Sequence, residues 1–111
     1  MKLSTRTLGS VEIVAVDASR IDAAVAIQFK DQMREVLADA ADRVILDLEQ
    51  VDFIDSSGLG AIVAAMKLMP SGRKLELAAL TPTVDKVFRM TRMDSIFPIH
   101  ESVGSAIQSA A

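Results

Sequence analysis

Two adjacent hydroxyls follow a carboxylate in the stretch Asp55-Ser56-Ser57-Gly58-Leu59-Gly60. Residues of these types at the start of a helix do one of two things. Their side-chain oxygens accept hydrogen bonds from the free N–H groups of the first turn, and Asp55 and Ser56 are both good N-cap residues. A serine hydroxyl there also lies beside exposed donors and the positive end of the helix dipole, where an anion gains roughly 0.3–1 kcal/mol. Such a site can take a phosphate without remodelling the fold. On the residues alone capping is the favoured role, because serine at an N-cap is very common. Elsewhere no paired carboxylates, nucleophile–base pair or phosphate-binding loop stands out.

The flanking residues predict what holds this stretch in place. Val44-Ile45-Leu46, Asp47 and Leu48 read as a buried strand. A short acidic turn and a second apolar pair, Phe53-Ile54, follow. From Gly58 to Pro70 the only charge is Lys67, so a nearly all-apolar helix starts at the serines.

In that setting, residues 55–60 resemble the signature of the anti-sigma factor antagonist family, small bacterial proteins made of one STAS domain. The resemblance covers the whole chain, including Met93-Asp94-Ser95-Ile96-Phe97. Arg20-Ile21-Asp22 stands where many members carry a charged residue, an apolar residue and an aspartate. Ser19 stands where many have glycine, a departure that bears on the loop shape. The resemblance implies that Ser56 is phosphorylated by a partner that is both serine kinase and anti-sigma factor. The protein is then a phosphoryl acceptor and not an enzyme: the kinase supplies ATP, Mg²⁺ and base. It further implies that the unphosphorylated form binds the anti-sigma factor, that the phosphorylated form lets go, and that a serine phosphatase resets the switch. Asp22, Asp55, Ser57, Gly58, Leu59 and Gly60 form the expected partner surface. Gly58 and Gly60, each costing about 1 kcal/mol in a helix relative to Ala, are expected to leave room for a partner's loop. Asp47 is expected to be structural, and Met66, Leu68 and Met69 to be mainly core.

Composition narrows the rest. A chain of 111 residues is expected to be one domain, residues 1–111, and half of it is hydrophobic. Twelve Lys and Arg against fifteen Asp and Glu give a net charge of −3, a poor basis for nucleic-acid binding. With no cysteine and one histidine, His100, disulfides and multi-histidine metal sites are excluded, and no cofactor is expected. Lys67 and Pro70 interrupt the longest apolar stretch, and no signal-peptide core follows Met1. The expectation is a cytoplasmic protein without direct membrane contact, monomeric when free.

The remaining pattern predicts the order β-β-α-β-α-β-α-β-α. Residues 2–8 and 11–16 form a hairpin about Gly9-Ser10. A helix runs from Ile21 or Asp22 to Ala40, with Val25, Phe29, Met33, Val36, Leu37 and Ala40 on one face. Pro70-Ser71-Gly72 ends the central helix, and residues 74–78 alternate as a strand. Thr81 caps a helix with Pro82 at its first position and Val84, Val87, Phe88 and Thr91 facing inward. Ile96-Phe97-Pro98-Ile99 is a short edge strand with His100 a surface residue beside it. Residues 102–109 make a last helix. The fold class is a small mixed α/β (α+β-like) sheet with helices mainly on one face, as in STAS domains. Two other outputs remain open: a STAS domain of another stress or sensor-kinase signalling complex, or a subunit of a membrane transport complex.

Overall fold

The structure, a computed structural model, describes residues 1–39, 41–70 and 73–109. The β-branched runs form the sheet as their alternation predicts. Strands β1 (Leu3–Leu8) and β2 (Val11–Val16) make an antiparallel hairpin, in register from Leu3↔Val16 to Leu8↔Val11. Gly9 turns it at a φ of +63°, a conformation that costs glycine nothing. Two further pairs of strands, β3 (Arg20–Ile21) with β5 (Phe53–Ile54) and β4 (Arg43–Asp47) with β6 (Leu75–Ala78), run parallel. The main sheet has the order β1-β2-β4-β6-β7, where β7 (Ile99–His100) is the far edge. From β2 onward its strands are parallel, as helical crossovers require.

Helices α1 (Ala26–Ala38), α2 (Ser56–Met66) and α3 (Pro82–Met90) follow strands and cover one face. Phe29, Met33, Val44, Leu46, Ile62, Leu75, Leu77 and Phe88 are fully buried between them. Phe88 meets Phe97 edge to face, with centroids 5.8 Å apart. The opposite face carries a smaller core, in which Val11, Ile13, Ile45 and Ala78 lie under Ala106 of α4 (Val103–Gln108). The mixed sheet with helices mainly on one face is therefore the observed architecture.

Several boundaries differ from the sequence reading, each for a local reason. The first helix begins at Ala26, not Ile21 or Asp22. Ile21 is held extended by the β3–β5 ladder, and Asp22 folds a turn, its Oδ1 accepting from the Ala24 N–H at 3.1 Å. That helix was expected to reach Ala40, which lies outside the described residues. The central helix ends at Met66, before Pro70, and Ser71 and Gly72 of the expected stop also lie outside the described residues. Thr81 occupies the N-cap of α3, but its hydroxyl donates to the Val51 carbonyl (2.8 Å) and so ties the helix to the loop before β5. Thr91 is exposed and bonds back to the Val87 carbonyl at 2.6 Å. Ile96 closes a 3-10 turn over Met93–Ser95, so the edge strand is shifted to Ile99–His100.

Ala79 joins β6 to α3 at a φ of +60°, and its N–H donates to the His100 carbonyl at 3.1 Å. A Cβ in this left-handed region costs roughly 1–2 kcal/mol. Part of that returns as greater freedom of the unfolded chain once glycine is there. Ala79→Gly is therefore expected to raise the unfolding free energy by roughly 0.5–1 kcal/mol. Urea melts read the change, and a midpoint at or below wild type would refute it.

Candidate functional site

The carboxyl ends of the strands bring three segments to one corner: the β3–α1 turn, β5, and the start of α2. Asp55 clamps them together. Its Oδ1 accepts from the Gly58 N–H at 2.9 Å, closing the N-cap of α2. Its Oδ2 accepts from the Ala23 N–H at 3.2 Å, across to the turn that leads into α1. Both capping expectations for Asp55 and Ser56 therefore resolve onto Asp55, and Ser56 is the first residue of the helix.

That division frees the serine. Ser56 and Ser57 are both exposed, and the Ser56 hydroxyl has no hydrogen-bond partner among the described residues. It stands on a backbone that is fixed on two sides. The Leu59 N–H donates to the Asp55 carbonyl (2.9 Å), and the Asp55 N–H reaches the Ile21 carbonyl at 3.4 Å. The arrangement presents a rigidly placed, exposed hydroxyl.

Asp22 is brought to the same corner, half-buried, with Oδ2 on the Arg20 Nε at 3.2 Å. Arg20 also lies over the Phe53 ring, 4.2 Å from its centroid. Sequence reasoning placed Arg20 in the right segment but gave it no role. Only the β3–β5 pairing sets Arg20 opposite Phe53.

The two glycines part company. Gly58 is buried, and a Cβ on it would stand 1.9 Å from the Ile21 carbonyl oxygen. The room expected there for a partner's loop is filled by the chain's own backbone. Gly60 is exposed with nothing within 4 Å of a Cβ position, so its surface is open. Leu59 is half-buried and packs against the main core. The outward corner is therefore Arg20, Asp22, Phe53, Ser56, Ser57 and Gly60.

A second polar cluster lies at the amino end of β4, and sequence reasoning missed it. Glu76 is 7% exposed and takes both Arg43 Nε (2.7 Å) and Nη2 (2.6 Å). His100 Nε2 lies 2.8 Å from the same carboxylate, so His100 is a half-buried hydrogen-bond partner rather than a free surface residue. Burial would raise the Glu76 carboxyl, but Arg43 and His100 more than offset it and hold it below the usual carboxylate range. The hydrogen bond to Glu76 in turn raises the Arg43 guanidinium. Arg43 also donates to the Ala106 and Ser109 carbonyls at 2.9 and 3.3 Å, so the cluster pins α4 to the sheet.

A small, mainly parallel sheet thus carries an exposed serine at the head of its central helix. The chain belongs to the STAS domain family, whose model matches residues 2–106. It is similar to BtrV of Bordetella bronchiseptica, provisionally named an anti-sigma factor antagonist. The two are 29% identical over 99% of this chain and 97% of BtrV. The fold is shared with an anti-sigma factor antagonist from Mycobacterium paratuberculosis (TM-score 0.85, 23% identity, 96% of this chain and 90% of that one). It is also shared with the Bacillus cell fate determinant SpoIIAA in its phosphorylated form (TM-score 0.67, 20% identity, 96% of each chain). No helix among the described residues is long and apolar enough to cross a membrane.

Proposed function

We propose that this chain is a non-enzymatic anti-sigma factor antagonist that works by partner switching. Unphosphorylated, it binds an anti-sigma factor that is also a serine kinase. Phosphorylation of Ser56 releases that partner, and a serine phosphatase restores the binding form. The observation that carries the reading is the exposed, unbonded Ser56 hydroxyl on the backbone that Asp55 clamps. The kinship with a named antagonist along nearly the whole chain supports it. So does the existence of a phosphorylated form of SpoIIAA, which has the same fold.

The release follows from charge and bulk. A phosphate adds about −1.5 to −2 charges at neutral pH. Asp55 clamps this corner, Asp22 lies on the adjoining turn paired with Arg20, and Asp52 stands four residues before Ser56 in the chain. More negative charge here leaves the fold intact and raises the cost of docking a close-fitting surface.

Peptide mapping of the protein from its native cells should place a single phosphate on Ser56. A serine kinase captured on the immobilised chain then supplies the binding assay. Ser56→Asp is expected to weaken binding about tenfold or more, and Ser56→Ala to bind like wild type while refusing phosphate. Binding of Ser56→Asp as tight as wild type would refute the switch and favour a structural role in a larger complex.

A further inference from the structure

Arg20 is held in a way that leaves its recognition edge unused. Its guanidinium stacks on Phe53 at 4.2 Å, and Nε is taken by Asp22 at 3.2 Å. No described residue takes the hydrogens of Nη1 and Nη2, although the side chain is 57% exposed. Both contacts fix the plane of the fork, so little rotamer freedom is left to lose on binding. Phe53 is itself 37% exposed and adds an apolar rim beside the charge. An arginine on an aromatic face is the type of pair that dominates interfaces when desolvated. It sits on the β3–β5 ladder, three residues before Ala23, where Asp55 clamps the turn to the head of α2.

We propose that Arg20 is the charge anchor of this corner and takes a carboxylate of the partner protein through Nη1 and Nη2, with Phe53 packing beneath the contact. The inference rests on reading the Ser56 corner as the partner surface, and it adds the partner's chemistry: an acidic side chain facing Arg20. It also gives a mechanism for the release proposed on phosphorylation of Ser56. The phosphate repels the incoming carboxylate and competes for the only cation of the corner among the described residues.

The probe is the serine kinase captured on the wild-type chain, titrated calorimetrically with four variants. Arg20→Glu is expected to weaken binding roughly 30-fold or more, and Phe53→Ala several-fold. Arg20→Lys, which keeps the charge but loses the fork, should fall between wild type and Arg20→Glu. The loss in Arg20→Glu should shrink as salt rises, which a merely structural role would not show. Thermal melts verify that the exposed variants are folded. If Ser56→Asp abolishes binding while Arg20→Glu binds like wild type, the anchor is refuted and the partner surface stands. If neither variant changes affinity, or no kinase is captured at all, both are overturned.

Discussion

Gly58→Ala is expected to lower the unfolding free energy by about 3 kcal/mol or more, with a fall in Tm on the order of 10 °C. The added methyl would stand 1.9 Å from the Ile21 carbonyl oxygen and 2.7 Å from its carbon. Neither atom is the end of a flexible side chain. Both belong to backbone that the β3–β5 ladder holds, so the clash is relieved only by moving a strand or lifting the start of α2. The Cγ1 of Ile54 at 3.0 Å closes the third side. Because Asp55 bonds both Gly58 and Ala23, the same displacement breaks the clamp behind Ser56. The variant should therefore lose partner binding even at temperatures where it stays folded. Gly60→Ala is the matched control. That position is exposed, nothing lies within 4 Å, and alanine there should gain up to about 1 kcal/mol of helix stability. Two chemically identical changes two residues apart thus have opposite signs. Equal melting temperatures for the two variants would refute the close-approach account.

The contrast between the glycines shows what a sequence can and cannot carry. Their presence in a helix start signals that space matters, and α2 begins where Asp55 and the serines place it. Which neighbour uses the space is a long-range fact, set by a two-residue ladder joining residues 33 apart. Arg20–Ile21 and Phe53–Ile54 are too short for a periodic pattern, so the ladder was invisible. With it went the late start of α1 and the role of Arg20. Most of the main sheet was legible because β2, β4 and β6 each carry apolar residues over four to six positions, whereas β1 is mixed and β7 spans only two residues. The alternation of β6 was legible too, but it does not show where Glu76 lies. All four residues of β6 are buried, Glu76 among them at 7% exposure. Nothing local in the chain pairs Glu76 with Arg43 or with His100. The parallel register of β4, β6 and β7 does so.

That enclosure makes Glu76→Ala the second large expected effect, a loss of about 3–5 kcal/mol at neutral pH. The substitution removes the bidentate partner of a guanidinium whose side chain is only 20% exposed, and it strips His100 of the same carboxylate. A buried charge left without its partner costs more than the pair contributed. Arg43 would turn toward solvent and release the Ala106 and Ser109 carbonyls, so amide exchange should quicken in α4 before the rest of the sheet. The pH dependence has a definite sign. The folded-state pKa of Glu76 lies below its unfolded value of about 4.3. Its contribution is therefore complete above that value and is lost as pH falls through the folded pKa. The raised pKa of Arg43 acts only at strongly alkaline pH and leaves the acid limb unchanged. Urea melts of wild type and Glu76→Gln, which nearly preserves the volume, should thus differ most near neutrality and converge as pH falls through the folded pKa of Glu76. A gap that stays constant across that range would mean that packing, and not the carboxylate charge, holds α4 to the sheet. Ser56 lies at the opposite end of the strands. Loosening α4 should therefore leave partner binding intact in the folded fraction, whereas Gly58→Ala should abolish it.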